Sequence, residues 1–158
     1  MDKIVFITGA SSGIGAGCAR KFASQGASLI LNARNVNKLS ALKEELEKQY
    51  GAKIYLLPFD VRDRKAATSA LESLPKEWQS IDILVNNAGL VIGTDKEQEG
   101  SLDEWDIVID TNIKALLAMT RLIVPGMVER KRGHIINIGS IAGDAAYPGG
   151  SVDRKSVV

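Results

Sequence analysis

The sequence predicts a doubly wound α/β (Rossmann) fold, a parallel sheet covered by helices on both faces, and three observations predict it. Short apolar runs rich in β-branched residues alternate with longer segments of helical periodicity. Those runs are continuous rather than alternating, as strands buried on both faces are. The first of them, Ile4-Val5-Phe6-Ile7, leads through the loop Thr8-Gly9-Ala10-Ser11-Ser12-Gly13-Ile14-Gly15 straight into a helical pattern. Right-handed crossovers then give strand order 3-2-1-4-5, with the ligand crevice at the carboxyl ends of the first and fourth strands.

Each element has its own justification. Ala16, Ala19, Phe22 and Ala23 recur at helical spacing up to a stop at Gly26. Ser28-Leu29-Ile30-Leu31 reads as the second strand. Asn35 to Tyr50 reads as an amphipathic helix with Leu39, Leu42 and Leu46 on one face, closed by Gly51. Ile54-Tyr55-Leu56-Leu57 is the third strand, and Asp63 is placed to cap a helix running to Leu74. Ile81 to Val85 is the fourth strand. Ser101-Leu102-Asp103-Glu104 is a capping box opening a long helix toward Arg130, which Pro125 should kink or end. His134-Ile135-Ile136-Asn137-Ile138 is the fifth strand, with His134 expected as a packing or edge residue.

Bulk properties set bounds on function. With 158 residues the chain reads as one domain, and no linker, repeat or low-complexity tract divides it. Lys and Arg number 20 against 19 Asp and Glu, a formal charge of +1 that favours neither a nucleic-acid nor a membrane partner. No apolar run approaches the length of a membrane helix, the N-terminus enters a strand, and a cytoplasmic setting is expected. The single cysteine, Cys18, has no internal disulfide partner and reads as a small packing residue. No metal is assigned.

The glycine loop carries the first chemical expectation. A strand, glycine loop and helix present backbone N–H groups and a helix N-terminus to a phosphate, and side chains at the glycines would block its close approach. An ordinary tight turn would need one or two glycines; Gly9, Gly13 and Gly15 with Thr8 point to a nucleotide. The second strand ends Asn32-Ala33-Arg34, about twenty residues further on, where an acid would bind the ribose 2′-hydroxyl of NAD and an arginine the 2′-phosphate of NADP. Arg34 and the absence of an acid favour NADP over NAD. Asp60, at the end of the third strand before Val61, is an acceptor for the adenine amino group, although Asp before a turn is common. Asn86-Asn87-Ala88-Gly89, ending the fourth strand, suits the floor of a cofactor cleft or the satisfaction of loop backbone groups.

Thr-Gly-x-x-x-Gly-x-Gly at 8–15, Asp60-Val61, Asn86-Asn87-Ala88-Gly89, Asn112 and Gly139-Ser140 together resemble the short-chain dehydrogenase/reductase family. The resemblance runs to about Val152. It is closest to bacterial NADP-dependent 3-hydroxy acid dehydrogenases acting on serine and allo-threonine, through Leu74-Pro75-x-Glu77-Trp78, Asp110-Thr111-Asn112, Pro125–Arg130 and Gly133–Ser140. It implies hydride transfer between NADP and a small hydroxy acid or other alcohol. The cofactor would lie along Thr8, Gly9, Ser11, Ser12, Gly13, Ile14, Gly15, Arg34, Asp60, Val61, Asn87, Ala88 and Gly89. Asn112 is assigned a proton-relay and structural role, and Ser140 is assigned to hold the substrate oxygen.

The family's general acid/base is a tyrosine followed four residues later by a lysine. Here Pro148-Gly149-Gly150-Ser151-Val152 is followed by Asp153, with Val157 four residues on. A carboxyl of reference pKa about 3.9 is a poor proton partner for an alkoxide. Lys155 aligns with the lysine only across a gap, and Tyr147 reads as a substrate-side loop residue. The last part of the family's fold is therefore expected to be missing from a truncated chain. That leaves the fifth strand as an unprotected edge and exposes Ile107, Leu116 and Ile123 on the long helix. Marginal stability or homo-oligomerisation through helix 102–130 is the expected consequence. The alternative is an inactive NADP-binding or regulatory fragment.

Overall fold

The computed structural model describes residues 3–93 and 95–140. Five parallel strands, β1 (Ile4–Ile7), β2 (Ser28–Leu31), β3 (Ile54–Leu56), β4 (Ile81–Asn86) and β5 (His134–Asn137), form one sheet in the order β3-β2-β1-β4-β5. Helices α1 (Gly13–Ser24), α2 (Val36–Tyr50), α3 (Arg64–Glu72), α4 (Leu102–Ile109) and α5 (Leu116–Glu129) provide the crossovers, with a short 3₁₀ turn at Lys76–Trp78 before β4. The predicted order is the observed one.

The period of two in β1 divides the core. Val5 and Ile7 join Leu29, Leu31, Ile83 and Val85 beneath α1 (Ala16, Ala19, Ala23) and α2 (Leu39, Leu42, Leu46). Phe6 joins Ile30 and Leu84 on the other face, under Ala67 of α3 and the i, i+4 row Ala115, Met119, Ile123, Met127. Alanines on α1 let that helix lie close to the sheet. Each fully buried Leu, Ile or Phe contributes about 1.5–3 kcal/mol by leaving water.

Local chemistry sets the helix ends. Asn35 Oδ1 accepts from Lys38 N at 3.0 Å, and Asp63 Oδ1 accepts from Lys65 N at 3.0 Å and Ala66 N at 2.9 Å. Gly51 closes α2 in the left-handed conformation. The expected capping box is only half made. Ser101 Oγ accepts from Glu104 N at a long 3.4 Å, while the Glu104 carboxylate lies against Gly93. α1 differs: its N-cap, Ser12, makes no side-chain cap bond.

The segment expected as one long helix is divided. Asp110–Ala115 is a π-helical turn between α4 and α5, with the Lys114 ammonium 2.7 Å from the Asp110 carboxylate. Pro125 does not end the helix; it lies inside α5, on an exposed position. The hydrogen bond that proline cannot donate is thus lost on the solvent side, where water can serve the carbonyl one turn earlier.

Burial also departs from expectation. Ile123 is buried in the core, and Ile107 and Leu116 are partly covered. The exposed apolar side chains of this region are instead Leu102, Leu117 and Val128, at 71%, 60% and 67% exposure. β5 is an edge among the described residues: His134, Ile135 and Asn137 are exposed, so His134 does not begin a buried strand. At the amino end of the sheet, buried Asp82 accepts from Ile4 N at 3.0 Å and from Arg132 Nε at 2.7 Å, tying the turn between α5 and β5 to β4 and β1. No helix among the described residues is long and apolar enough to cross a membrane.

Candidate functional site

The carboxyl ends of β1 and β4 part around a cleft of about 910 Å³, lined by the glycine loop, the ends of β2 and β3, residues 86–91, Asn112 and Gly139-Ser140. The sheet order creates it: β1 crosses over toward β2 on one side, and β4 toward β5 on the other. Of the predicted residues, Gly9, Ser11, Ser12, Gly13, Ile14, Arg34, Asp60, Val61, Asn87, Ala88, Gly89, Asn112 and Ser140 line this one cleft.

Thr8 and Gly15, expected along the cofactor, are buried behind this lining. Thr8 is buried behind the loop, where its hydroxyl accepts from Asn87 N and Ala88 N, both at 3.0 Å, and donates to Val85 O at 3.3 Å. Asn87 Nδ2 returns the contact, donating to Thr8 O at 2.9 Å and Gly9 O at 3.1 Å. A Cβ on Gly9, whose φ is +63°, would stand 2.9 Å from Ala88 Cα, and one on Gly15 would meet Gly9 O and Asn87 Nδ2. These two glycines are demanded by the chain's own packing against the end of β4. Gly13 faces open space. The first-turn N–H groups of α1, without a side-chain cap from Ser12, stand beside it at the cleft.

The β2–β3 side is built from charge. Arg34 is exposed, with Nη1 3.9 Å from Asp60 Oδ2. Asp60 itself is gripped by Arg62, whose Nε donates to Oδ1 at 3.0 Å and to Oδ2 at 3.1 Å, and whose Nη2 donates to Oδ2 at 2.6 Å. These hydrogen bonds, more than the nearby Arg34 charge, hold the Asp60 carboxyl below its ordinary range against the opposing effect of burial, and they raise Arg62 above its own. Asp60 therefore meets a ligand with its carboxylate already committed to a neighbour.

Arg62, Lys38 and Asn32 line the cleft without having been singled out in the sequence. Asn32 is fully buried and donates through Nδ2 to Leu57 O at 3.0 Å and Phe59 O at 3.1 Å, fixing the end of β3 beside that of β2. A polar residue ending an apolar strand was its only signal. For Arg62 the signal was its spacing two residues after Asp60, and for Lys38 its place one turn beyond Arg34.

The β4–β5 side is built from amides. Asn112 Oδ1 accepts from Leu90 N at 2.9 Å and its Nδ2 donates to Leu90 O at 2.8 Å, so the π turn pins the loop after β4. Asn86 Nδ2 donates to Thr120 Oγ1 and Asn137 Oδ1, each at 3.0 Å. Ser140, just past β5, forms the far rim. Tyr147, Asp153 and Lys155 lie outside the described residues.

A parallel sheet of this order, a glycine loop at its switch point and a cleft with cations at one end and amides at the other define a dinucleotide-binding domain of oxidoreductase type. The chain belongs to the short chain dehydrogenase family, whose model matches residues 3–152. It is 49% identical over 149 residues to the NADP-dependent 3-hydroxy acid dehydrogenase YdfG of Escherichia coli K12, covering 94% of this chain and 58% of that protein. Among solved structures it resembles serine dehydrogenase from Escherichia coli, at a TM-score of 0.90 and 48% identity over 97% of this chain and 69% of that one. It also resembles the closed form of serine dehydrogenase complexed with NADP⁺, at a TM-score of 0.89 and 46% identity over 98% of this chain and 60% of that one. The chain thus spans under two thirds of the length of the curated relative it matches.

Proposed function

We propose that the cleft is an NADP site, in a chain related to enzymes of hydride transfer between NADP and a small secondary alcohol such as a 3-hydroxy acid, serine or allo-threonine, and that residues 1–158 keep the cofactor half of that reaction. The observation that carries this is Arg34, just past β2 where an NAD site would place an acid, with Lys38 in the first turn of α2 lining the same cleft. The residues fit the cofactor. α1 alone among α1–α4 lacks a side-chain cap, which leaves first-turn donors for a pyrophosphate beside the open surroundings of Gly13. The relatives' names support the same cofactor.

When bound, a nicotinamide accepts or supplies the hydride. The chain's own residues bind and orient. Arg34 would meet the 2′-phosphate, Ser11, Ser12 and Gly13 the pyrophosphate, and Asn87, Ala88 and Gly89 the floor beneath. Ser140 would hold the substrate oxygen. Asn112, with both amide atoms on Leu90, acts by fixing the loop after β4 rather than by passing a proton through its side chain. Asp153 stands where the family's tyrosine does, so residues 1–158 are expected to bind NADP without oxidising serine. Serine-dependent NADPH formation by this chain would contradict that. Leu102, Leu117 and Val128 are where a second copy would dock, which sedimentation at rising concentration reads directly.

Titration of NADPH and NADH fluorescence tests the cofactor reading. Arg34→Ala should weaken NADPH by about 1–2 kcal/mol, the scale of a charge-assisted contact, and leave NADH nearly unchanged. Equal losses would place the phosphate elsewhere.

A further inference from the structure

A carboxylate is an awkward neighbour for a phosphate site. Asp60 lies 3.9 Å from Arg34 and lines the same cleft, so an uncompensated charge there would draw that arginine in and oppose an incoming anion. Yet Arg34 does not close on it. At 3.9 Å the pair is outside hydrogen-bonding range, and the Arg34 side chain remains 66% exposed. Arg62 has taken the carboxylate instead. Its guanidinium supplies the contacts to both oxygens already described, and its backbone N–H adds a further bond to Oδ1 at 3.0 Å. Arg62 and Asp60 are each about one-third exposed, so water shares in this neutralisation without replacing the guanidinium.

We infer that Arg62 determines selectivity for the 2′-phosphate by neutralising Asp60, which keeps the five donors of Arg34 uncommitted and removes a negative charge from the phosphate's surroundings. Arg62 acts through Asp60 and Arg34; it is a positioning residue, and it need not touch the cofactor. The inference rests on the NADP reading of the cleft. Its chemical content is separate: an acid at the end of β3 is tolerated beside a phosphate site because an arginine two residues later cancels it.

The test is the ratio of NADH to NADPH dissociation constants, measured by fluorescence titration of the purified protein. Adenine, ribose and nicotinamide are common to both ligands, so losses there cancel in the ratio. Arg62→Ala should lower the ratio about tenfold, the scale of one uncompensated charge a few ångströms away in a partly exposed site. Arg62→Lys, which keeps the charge but not the fork, should lower it less. Asp60→Asn combined with Arg62→Ala should restore it, because the charge to be cancelled is gone.

A ratio that falls and stays low in the double variant would make Arg62 a direct phosphate ligand and overturn the inference. Equal weakening of both ligands by Arg62→Ala would reduce Arg62 to a structural support and overturn it too. A wild-type ratio near one would fault the NADP reading itself and this inference with it. A clear wild-type preference that survives Arg62→Ala would fault the inference alone.

Discussion

The two sides of the cleft keep their shape by different means. On the β1–β4 side, Thr8, Asn87 and Asn112 spend their polar atoms on backbone groups, so the loops are stitched to the sheet. On the β2–β3 side, Arg34, Asp60 and Arg62 interact chiefly with one another at partial exposure. Thr8 is itself buried, so losing its hydroxyl orphans two backbone donors at part-buried positions, which costs more than loosening a surface pair. Partly exposed ion pairs contribute little to stability, and their charge acts on whatever enters the cleft. The protein thus separates the part that must hold the fold from the part that can set cofactor choice.

Thr8→Val is the largest blow to that contrast. It keeps the shape of the side chain while leaving Asn87 N and Ala88 N without their acceptor, and should cost about 2–4 kcal/mol in urea unfolding. If the variant were as stable as the wild type, the stitched side would be no more than a surface loop.

Arg62→Ala should cost about 1 kcal/mol or less at neutral pH, since the pair is partly hydrated. It has a further signature in acid. The Asp60 carboxyl titrates lower in the folded protein than in the unfolded chain, so its contribution is complete above the ordinary carboxylate range. That contribution fades as pH falls from that range through the lower folded value. Arg62→Ala should therefore narrow its stability gap to wild type as pH drops below about 4, the ordinary carboxylate value. A gap constant across that range would mean that Asp60 is not held by Arg62.

The fold was legible because burial enforces periodicity: continuous apolar runs marked the strands, and rows such as Leu39, Leu42, Leu46 marked the helix faces. The π turn was not. Residues 102–129 keep an apolar pattern compatible with one unbroken helix, and a single widened turn changes hydrogen bonding without changing composition. Pro125 does not end the helix for a related reason, because a proline's cost depends on which face it occupies. The glycine loop lines the cleft, but its spacing did not show that Gly9 and Gly15 are required by Asn87, Ala88 and the loop itself. Asn32 stayed hidden because its partners, the carbonyls of Leu57 and Phe59, come within reach only once β2 and β3 lie side by side, and Arg62 because its grip on nearby Asp60 matters only once both line a cleft with Arg34.

If the charged side of this cleft selects the 2′-phosphate, cofactor preference must depend on Arg34. The most direct measurement is the pair of dissociation constants for NADPH and NADH in the wild type and in Arg34→Ala. The wild type should bind NADPH more tightly, and Arg34→Ala should lose that preference with its NADH affinity unchanged. Equal affinity for the two cofactors in the wild type would contradict selection of the 2′-phosphate by this cleft.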